Sequence, residues 1–331
     1  SEYRVVPVYK GNYEETLTAT IAAFRAGEQP NIVQVFDAGA ATIIGATGAT
    51  IPAEDLLLAN GVDFKREDYI DGVRFFYADA EGKMVGMPFN SSTPILYYNV
   101  EALEAAGVEP PRTWEEFQEI APAIKEAGYV PLAQSHLPWI FTENFMSRHD
   151  QQFATNANGY EGVEGTELLL SDNAAIKAHF SALKEWYDAG LFGWYGPGWG
   201  DNQTPFENGE VAMWLGSSGS FGGLLKSMGE GKFSATFLPY WEAVEGAGTN
   251  TFIGGAALFA MAGQPDEENA ATAAFFEYLT SPEVQYVWHR DTGYVPITNA
   301  AYEVAKADCH YDRFPAAEVV IQQLQLLGGE W

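Results

Sequence analysis

Residues Phe89-Asn90-Ser91-Ser92-Thr93-Pro94 place an amide and three small hydroxyls ahead of a proline, and the apolar run Ile95-Leu96-Tyr97-Tyr98 follows directly. Such a stretch offers backbone N–H and hydroxyl donors without formal charge. Two similar clusters recur, Ser217-Ser218-Gly219-Ser220 and the Gly254-Gly255 pair within Thr251–Ala256. Each suits a neutral anion-binding nest, in which amides and hydroxyls hold oxygens that carry negative charge. One such turn alone is ordinary turn chemistry. Three of them, two flanking strands expected to cross between lobes, point to recognition of an oxyanion.

The elements that must position these clusters are legible in part. Tyr3–Tyr9 alternates weakly and predicts a strand. A helix is expected from Tyr13, with Asn12 as N-cap, Glu15 completing a capping box and Gly27 past its end. Ile32–Phe36 is a short apolar strand leading to the loop Asp37-Ala38-Gly39. This strand–helix–strand order implies a parallel sheet, with ligands outside the carboxyl ends of its strands, where Asp37 falls. Arg74–Tyr77 and Met84–Pro88, separated by the polar turn Asp79–Lys83, predict a hairpin. Thr113 and Glu116 box a second helix, closed by Gly128.

A third helix is expected from about Asn173 to Gly190, with Ile176, Phe180, Leu183, Trp186 and Tyr187 as its core stripe. Ser281 and Pro282 open another, carrying Val284, Val287 and Trp288. A further helix is expected over Ile140–Arg148. The fold class is therefore α/β. Lacking a Pro- or Ser-rich linker, the chain is expected to cross repeatedly between two lobes, near Thr93–Ile95, Gly254–Ala257 and Asn299. Lobe 1 comprises 1–93 and 257–299; lobe 2 comprises 97–253 and 300–331.

The 331 residues allow a substantial core in each lobe, and 47% hydrophobic with 14% aromatic content is that of a globular chain. No apolar run reaches membrane-spanning length. Net charge of −28, from 45 acidic against 17 basic residues, argues against nucleic acid and anionic membranes as partners. An anionic ligand would be repelled at long range, so it must be held by short-range oriented donors; a Debye length of about 8 Å at physiological salt makes that tolerable. Cys309 is the single cysteine, which excludes an intramolecular disulfide and a cysteine-based zinc site and predicts an inert packing residue.

Catalytic motifs are not evident. Gly216-Ser217-Ser218-Gly219-Ser220 departs from the G-x-S-x-G elbow, because its last glycine is displaced. The histidines at 136, 149, 179, 289 and 310 lack metal-ligand spacing, and His149-Asp150 reads as a surface pair rather than half of a metal site. Neither a metal nor a cofactor is expected. A phosphodiesterase is the enzymatic alternative.

A set of motifs in order carries a resemblance: Lys10-Gly11-Asn12-Tyr13-Glu14, Gln34-Val35-Phe36-Asp37-Ala38-Gly39, Pro88-Phe89-Asn90-Ser91-Ser92-Thr93-Pro94, Glu143-Asn144-Phe145, Ser217–Ser220, Ile253-Gly254-Gly255-Ala256 and Trp288–Thr298. With these the chain resembles, over essentially its whole length, the UgpB-type solute-binding proteins of ABC importers, which capture glycerol-3-phosphate and glycerophosphodiesters such as glycerophosphocholine. The resemblance implies a two-lobed, type II periplasmic-binding-protein-like α/β fold with the ligand in a cleft between lobes. It also implies export to the periplasm, monomeric binding without turnover, and the transmembrane permease subunits as partners. By the family pattern the chain looks truncated at both ends, without the C-terminal helices that carry a binding arginine.

Carried over position by position, the resemblance implies that Tyr13, Ser92, Ser217, Gly255 and Tyr294 hold phosphate and glycerol. Asp37 stands where better-known members have glutamate; it keeps the acceptor for glycerol hydroxyls but is one methylene shorter. Two tryptophans usually wall the head group. Here Trp139 matches the second and His136 replaces the first, so one wall of a choline cage is kept. Sugar-binding relatives of the same architecture are the nearer alternative, and would need stacked aromatics and more carboxylates along the cleft.

Overall fold

A computed structural model describes residues 3–46, 48–79, 81–159, 161–162, 164–198 and 200–326. The chain divides into two compact units, Ser1–Ser91 with Ile253–Asp308 and Ser92–Phe252 with Cys309–Trp331. Residues 327–331 of the expected second lobe, and Ala80 of the expected turn, lie outside the described residues. The third crossing falls after Asp308 rather than at Asn299. Helix Asn299–Ala307 stays with the first unit because Asn299 Nδ2 donates to the Glu67 carbonyl at 3.1 Å, Thr298 bridges to Tyr69, and the Tyr286 hydroxyl donates to the Asp308 carboxylate.

In the first unit, helix Tyr13–Ala26 begins where the sequence places it. Asn12 Oδ1 accepts the Glu15 N–H at 2.9 Å, the Glu15 carboxylate accepts the Asn12 N–H at 2.8 Å, and left-handed Gly27 closes the far end. Strand Ile32–Phe36 pairs antiparallel with Gly254–Met261, Phe36 opposite Ala256 and Ile32 opposite Ala260. Thr50–Ile51 lies on the other side of Gly254–Met261, and Met87–Ser92 also pairs with it. The parallel sheet expected around Ile32–Phe36 is thus corrected. Residues 3–10 are exposed and irregular, so among the described residues the helix has no preceding strand to be paired in parallel, and weak alternation without a partner makes no sheet. The expected hairpin reduces to one bridge, Ala78 to Met84, because Asp71–Arg74 is a helical turn. The core gathers Val33, Val35, Leu56, Leu57, Val73, Tyr77, Phe259 and Phe276.

The second unit holds a five-stranded sheet in the order Phe192–Gly193, Val130–Gln134, Val211–Ser217, Pro94–Asn99 and Phe233–Thr236. Val130–Gln134 runs parallel to both its neighbours, and Pro94–Asn99 runs antiparallel to both of its own. Helices Trp114–Glu126, boxed by Thr113 and Glu116, and Ala174–Asp188 cover the sheet. Two expected stripes are corrected. On Ala174–Asp188, Phe180 and Tyr187 are exposed, and the buried face is Ile176, His179, Ala182, Leu183 and Trp186. On Pro282–Thr292 of the first unit, Val287 is exposed while Gln285, Tyr286 and His289 are buried. A polar side chain with hydrogen-bond partners competes successfully for an interior face, which hydrophobic spacing cannot register. Cys309 is exposed and left-handed, at φ 55, where a packing residue was expected.

Candidate functional site

Four expected positions come together in the first unit. Tyr13 opens its helix and stacks flat on Phe36, centroids 5.4 Å apart and planes 3° from parallel. Its hydroxyl oxygen accepts from Asn90 Nδ2 at 2.8 Å. Burial chiefly, then the neighbouring Tyr294 phenol and the Asp37 carboxylate, push its pKa up to about 12, against a lowering by the Asn90 hydrogen bond. The group stays a neutral phenol throughout the physiological range, able to donate to an oxyanion.

Asp37 is the first residue of helix Asp37–Ile44, not part of a loop as expected, since strand Ile32–Phe36 runs straight into helical backbone. Its Oδ1 accepts the Ala38 N–H at 2.7 Å. Burial raises its pKa, while hydrogen bonds from the Ala38 and Gly255 N–H groups hold it down. Gly255 therefore has two tasks. Its N–H serves Asp37, and with φ at 94° it lies so close under Asn90 that a Cβ would collide with the Asn90 carbonyl oxygen. The close approach that glycine allows is used by the Met87–Ser92 strand.

Tyr294 is fixed from behind. Its ring stacks on Trp288, 5.9 Å away and 7° from parallel, and Trp288 stacks on Phe89 at 4.9 Å. Its carbonyl accepts from His289 Nδ1 at 2.7 Å. The expected Asn90–Thr93 nest is corrected: Met87–Ser92 is extended strand, and Asn90, Ser91, Ser92 and Thr93 are all buried.

The second unit presents two strand ends side by side. Val211–Ser217 finishes in the turn Ser218–Ser220 and then helix Phe221–Ser227. Ser217 Oγ accepts the Gly219 N–H at 3.2 Å, so its own proton remains to be donated. Tyr97, fully buried, donates to the Ser217 and Ser218 carbonyls, at 3.1 Å each. Ser218 and Thr93 exchange hydrogen bonds, N–H to carbonyl at 3.0 Å and N–H to Oγ at 3.2 Å. Thr93 Oγ1 in turn meets Thr251 Oγ1 at 2.6 Å, and buried Gln323 donates to the Pro94 carbonyl at 2.8 Å and to Thr251 Oγ1 at 2.9 Å. Ser92 directly precedes this lock.

Beside it, Val130–Gln134 leads into Ser135, whose N–H donates to the Leu215 carbonyl at 3.0 Å. His136 follows in left-handed backbone at φ 52, and its ring meets Trp139 edge-on at 6.0 Å. Burial lowers the His136 pKa to about 4, so this wall of the expected cage is a neutral imidazole. Trp139 opens a π-helix, Trp139–Asn144, ahead of the α-turn Phe145–Arg148, in place of the single α-helix expected from Ile140. Single-turn π-helices gather at functional sites. The Trp139 indole also packs on the unit's core with its N–H buried and unpartnered.

His149 is no surface pair with Asp150. It is fully buried, Nδ1 donating to the Phe145 carbonyl at 2.7 Å and Nε2 accepting the Trp241 N–H at 2.8 Å. No group of three or more His, Cys, Asp or Glu side chains placed to hold a metal occurs among the described residues.

Asn90, Gln34 and His289 are functional-region residues that sequence reasoning left unassigned. Asn90 lay inside the stretch that first drew attention, and Gln34 shares a strand face with Phe36 by simple alternation. That they meet is a tertiary fact.

This architecture and donor set define the class. The chain belongs to the family of bacterial extracellular solute-binding proteins, whose family model matches residues 2–313. More particularly, it is 41% identical over 335 residues to the sn-glycerol-3-phosphate-binding periplasmic protein UgpB of Rhizobium meliloti, covering 99% of this chain and 75% of that one. The protein of the same description from Brucella abortus is 41% identical over 340 residues, covering 100% and 75%. Among solved structures, UgpB from Mycobacterium tuberculosis in complex with glycerophosphocholine shares the fold, with a TM-score of 0.78 at 24% identity over 95% of this chain and 76% of that one.

Proposed function

We propose that this chain is the exported, periplasmic receptor of an ABC importer. It captures glycerol-3-phosphate or a glycerophosphodiester such as glycerophosphocholine and delivers it unchanged to the permease. The observation that carries this reading is the first unit's cluster, where the Tyr13 phenol stands in the electrostatic reach of Tyr294 and Asp37. Phenol donors beside a carboxylate match a ligand with an anionic phosphate and neutral vicinal hydroxyls: the phenols donate to the phosphate oxygens, and the carboxylate accepts from glycerol.

In this proposal Ser92 and Ser217 add hydroxyl donors from the second unit, and Trp139 with His136 receives the head group. The names of the relatives support the ligand class. The reading also holds that binding proceeds without turnover. Incubation with glycerophosphocholine while free choline is followed tests that part, and steady release above a heat-inactivated control would establish a phosphodiesterase instead.

A further inference from the structure

Behind Tyr13 lies a second layer of side chains that the proposed function does not use. Gln34, on strand Ile32–Phe36, donates from Nε2 to Asn90 Oδ1 at 2.8 Å, and Asn90 donates from Nδ2 to the Tyr13 hydroxyl oxygen at 2.8 Å. Asn90 is 4% exposed. Its carbonyl is seated over Gly255, so the residue is held by backbone and side chain together. The three groups form a chain of donors that all point one way. Polarised chains of this kind strengthen cooperatively in a low-dielectric interior.

The direction of the chain matters. A phenol oxygen that already accepts an amide N–H has one lone pair engaged, which favours presenting its proton to the next group. We propose that Asn90, anchored by Gln34, is a positioning residue that orients Tyr13 as a hydrogen-bond donor and so tunes this site to anionic oxygens. The inference rests on the proposed binding of a phosphate-bearing ligand and adds to it a residue pair that selects for charge. A purely architectural amide would satisfy its own hydrogen bonds without setting the polarity of Tyr13.

Asn90→Asp keeps the shape and reverses the polarity. Gln34 can still donate to it, but Tyr13 must now give its proton to the new oxygen. Calorimetry of glycerol-3-phosphate binding should show about a ten- to hundred-fold loss, the size of one charge-assisted hydrogen bond. The new charge could repel the ligand by itself, so the substitution is repeated in a Tyr13→Phe background, where repulsion persists and the relay is gone. There the loss should fall below about three-fold, the remainder being the coupling between the two residues. Equal losses in both backgrounds would overturn the proposal. Should Asn90→Asp fail to fold, Gln34→Leu removes the far anchor and enters the same cycle.

A readout without ligand separates this inference from the functional reading. In the nuclear magnetic resonance spectrum of the free protein, Tyr13→Phe should shift the Asn90 side-chain NH2 protons, because their acceptor is lost. An unmoved Asn90 amide would reverse the assigned direction and end the proposal, whatever the protein binds. Absence of glycerol-3-phosphate binding by the unsubstituted protein, with the amide shift present, would instead remove the functional reading and leave the relay standing.

Discussion

The two units prepare their donors by different means. In the first, interlocking side chains do most of it: Tyr13 is set by Asn90 and Phe36, and Tyr294 by Trp288 and His289, while Asp37 is held by the backbone N–H groups of Ala38 and Gly255. In the second, backbone geometry does it. Ser217 ends a strand and caps the 3-10 turn Ser218–Ser220, His136 lies in left-handed backbone, and Trp139 stands at the start of a π-helix. A site built from interlocking side chains fails all at once when one wedge is inserted. A site built from strand ends loses single hydrogen bonds and little else. Substitutions should therefore cost folding in the first unit and affinity in the second.

Gly255→Ala is the largest expected effect. It places a Cβ against the Asn90 carbonyl and an L side chain at φ 94, so backbone must move. Strain of about 1–3 kcal/mol adds to overpacking of similar size, and urea unfolding should show a loss of several kcal/mol, about 2–6 in total, together with loss of binding. A melt within about 1 kcal/mol of the unsubstituted protein would show that the first unit is not wedged as described.

Acid should act in the opposite sense on the two units. His149 is held at a pKa of about 4 by burial, and His179, its Nδ1 accepting from Trp241 Nε1 at 3.0 Å, is lowered well below its ordinary value by burial. In the unfolded chain these imidazoles take up protons near pH 6.5, but in the folded protein only at much lower pH. The His149 contribution is therefore complete above about pH 6.5 and is lost as pH falls through about 4, costing on the order of 3 kcal/mol, and His179 acts in the same sense. Asp37 in the first unit has a raised pKa, so acidification relieves it. Hydrogen exchange between pH 7 and 4 should show the Trp241 region opening before the Tyr13 region, and the reverse order would break the comparison.

Ser217→Ala should leave the melting curve in place and remove one charge-assisted hydrogen bond, roughly 1.5–3 kcal/mol, or ten- to a hundred-fold in affinity for glycerol-3-phosphate. Unchanged binding by calorimetry takes Ser217 off the site. Trp139→Ala is the smallest effect on binding and the most discriminating. If the indole faces a trimethylammonium group, glycerophosphocholine should weaken by about 0.5–2 kcal/mol while glycerol-3-phosphate is unchanged. Because Trp139 also packs on the core, some thermal stability will be lost, which is why the two ligands must be compared. Equal losses for both leave it a packing residue.

What was legible in the sequence follows the same division between local and distant causes. The capping boxes at Asn12 and Thr113 and the strand Ile32–Phe36 depend on residues a few positions apart, and they form as expected. The partner of Ile32–Phe36 comes from Gly254–Met261, across most of the chain, and local pattern carries no record of it. The stripe on Ala174–Asp188 was misplaced for a related reason. His179 is interior, where Trp241 supplies one hydrogen bond and the Phe145 ring stacks on it, while Phe180 and Tyr187 are left in solvent. At the candidate site, Tyr13, Asp37, Gly255 and Tyr294 were each expected from the resemblance. Gln34 and Asn90, which orient the first of them, become visible only when two distant strands are laid side by side.

The central claim is that these uncharged donor sets hold a phosphate-bearing glycerol ligand. Isothermal titration of the protein at about 0.15 M salt, where the −28 charge is screened beyond about 8 Å, tests it most directly, with glycerol-3-phosphate, glycerophosphocholine and maltose as separate titrants. The account predicts a saturable one-to-one heat with at least one of the two phosphate ligands and none with maltose. Saturation by maltose with no heat from either phosphate ligand would contradict it and establish a sugar receptor.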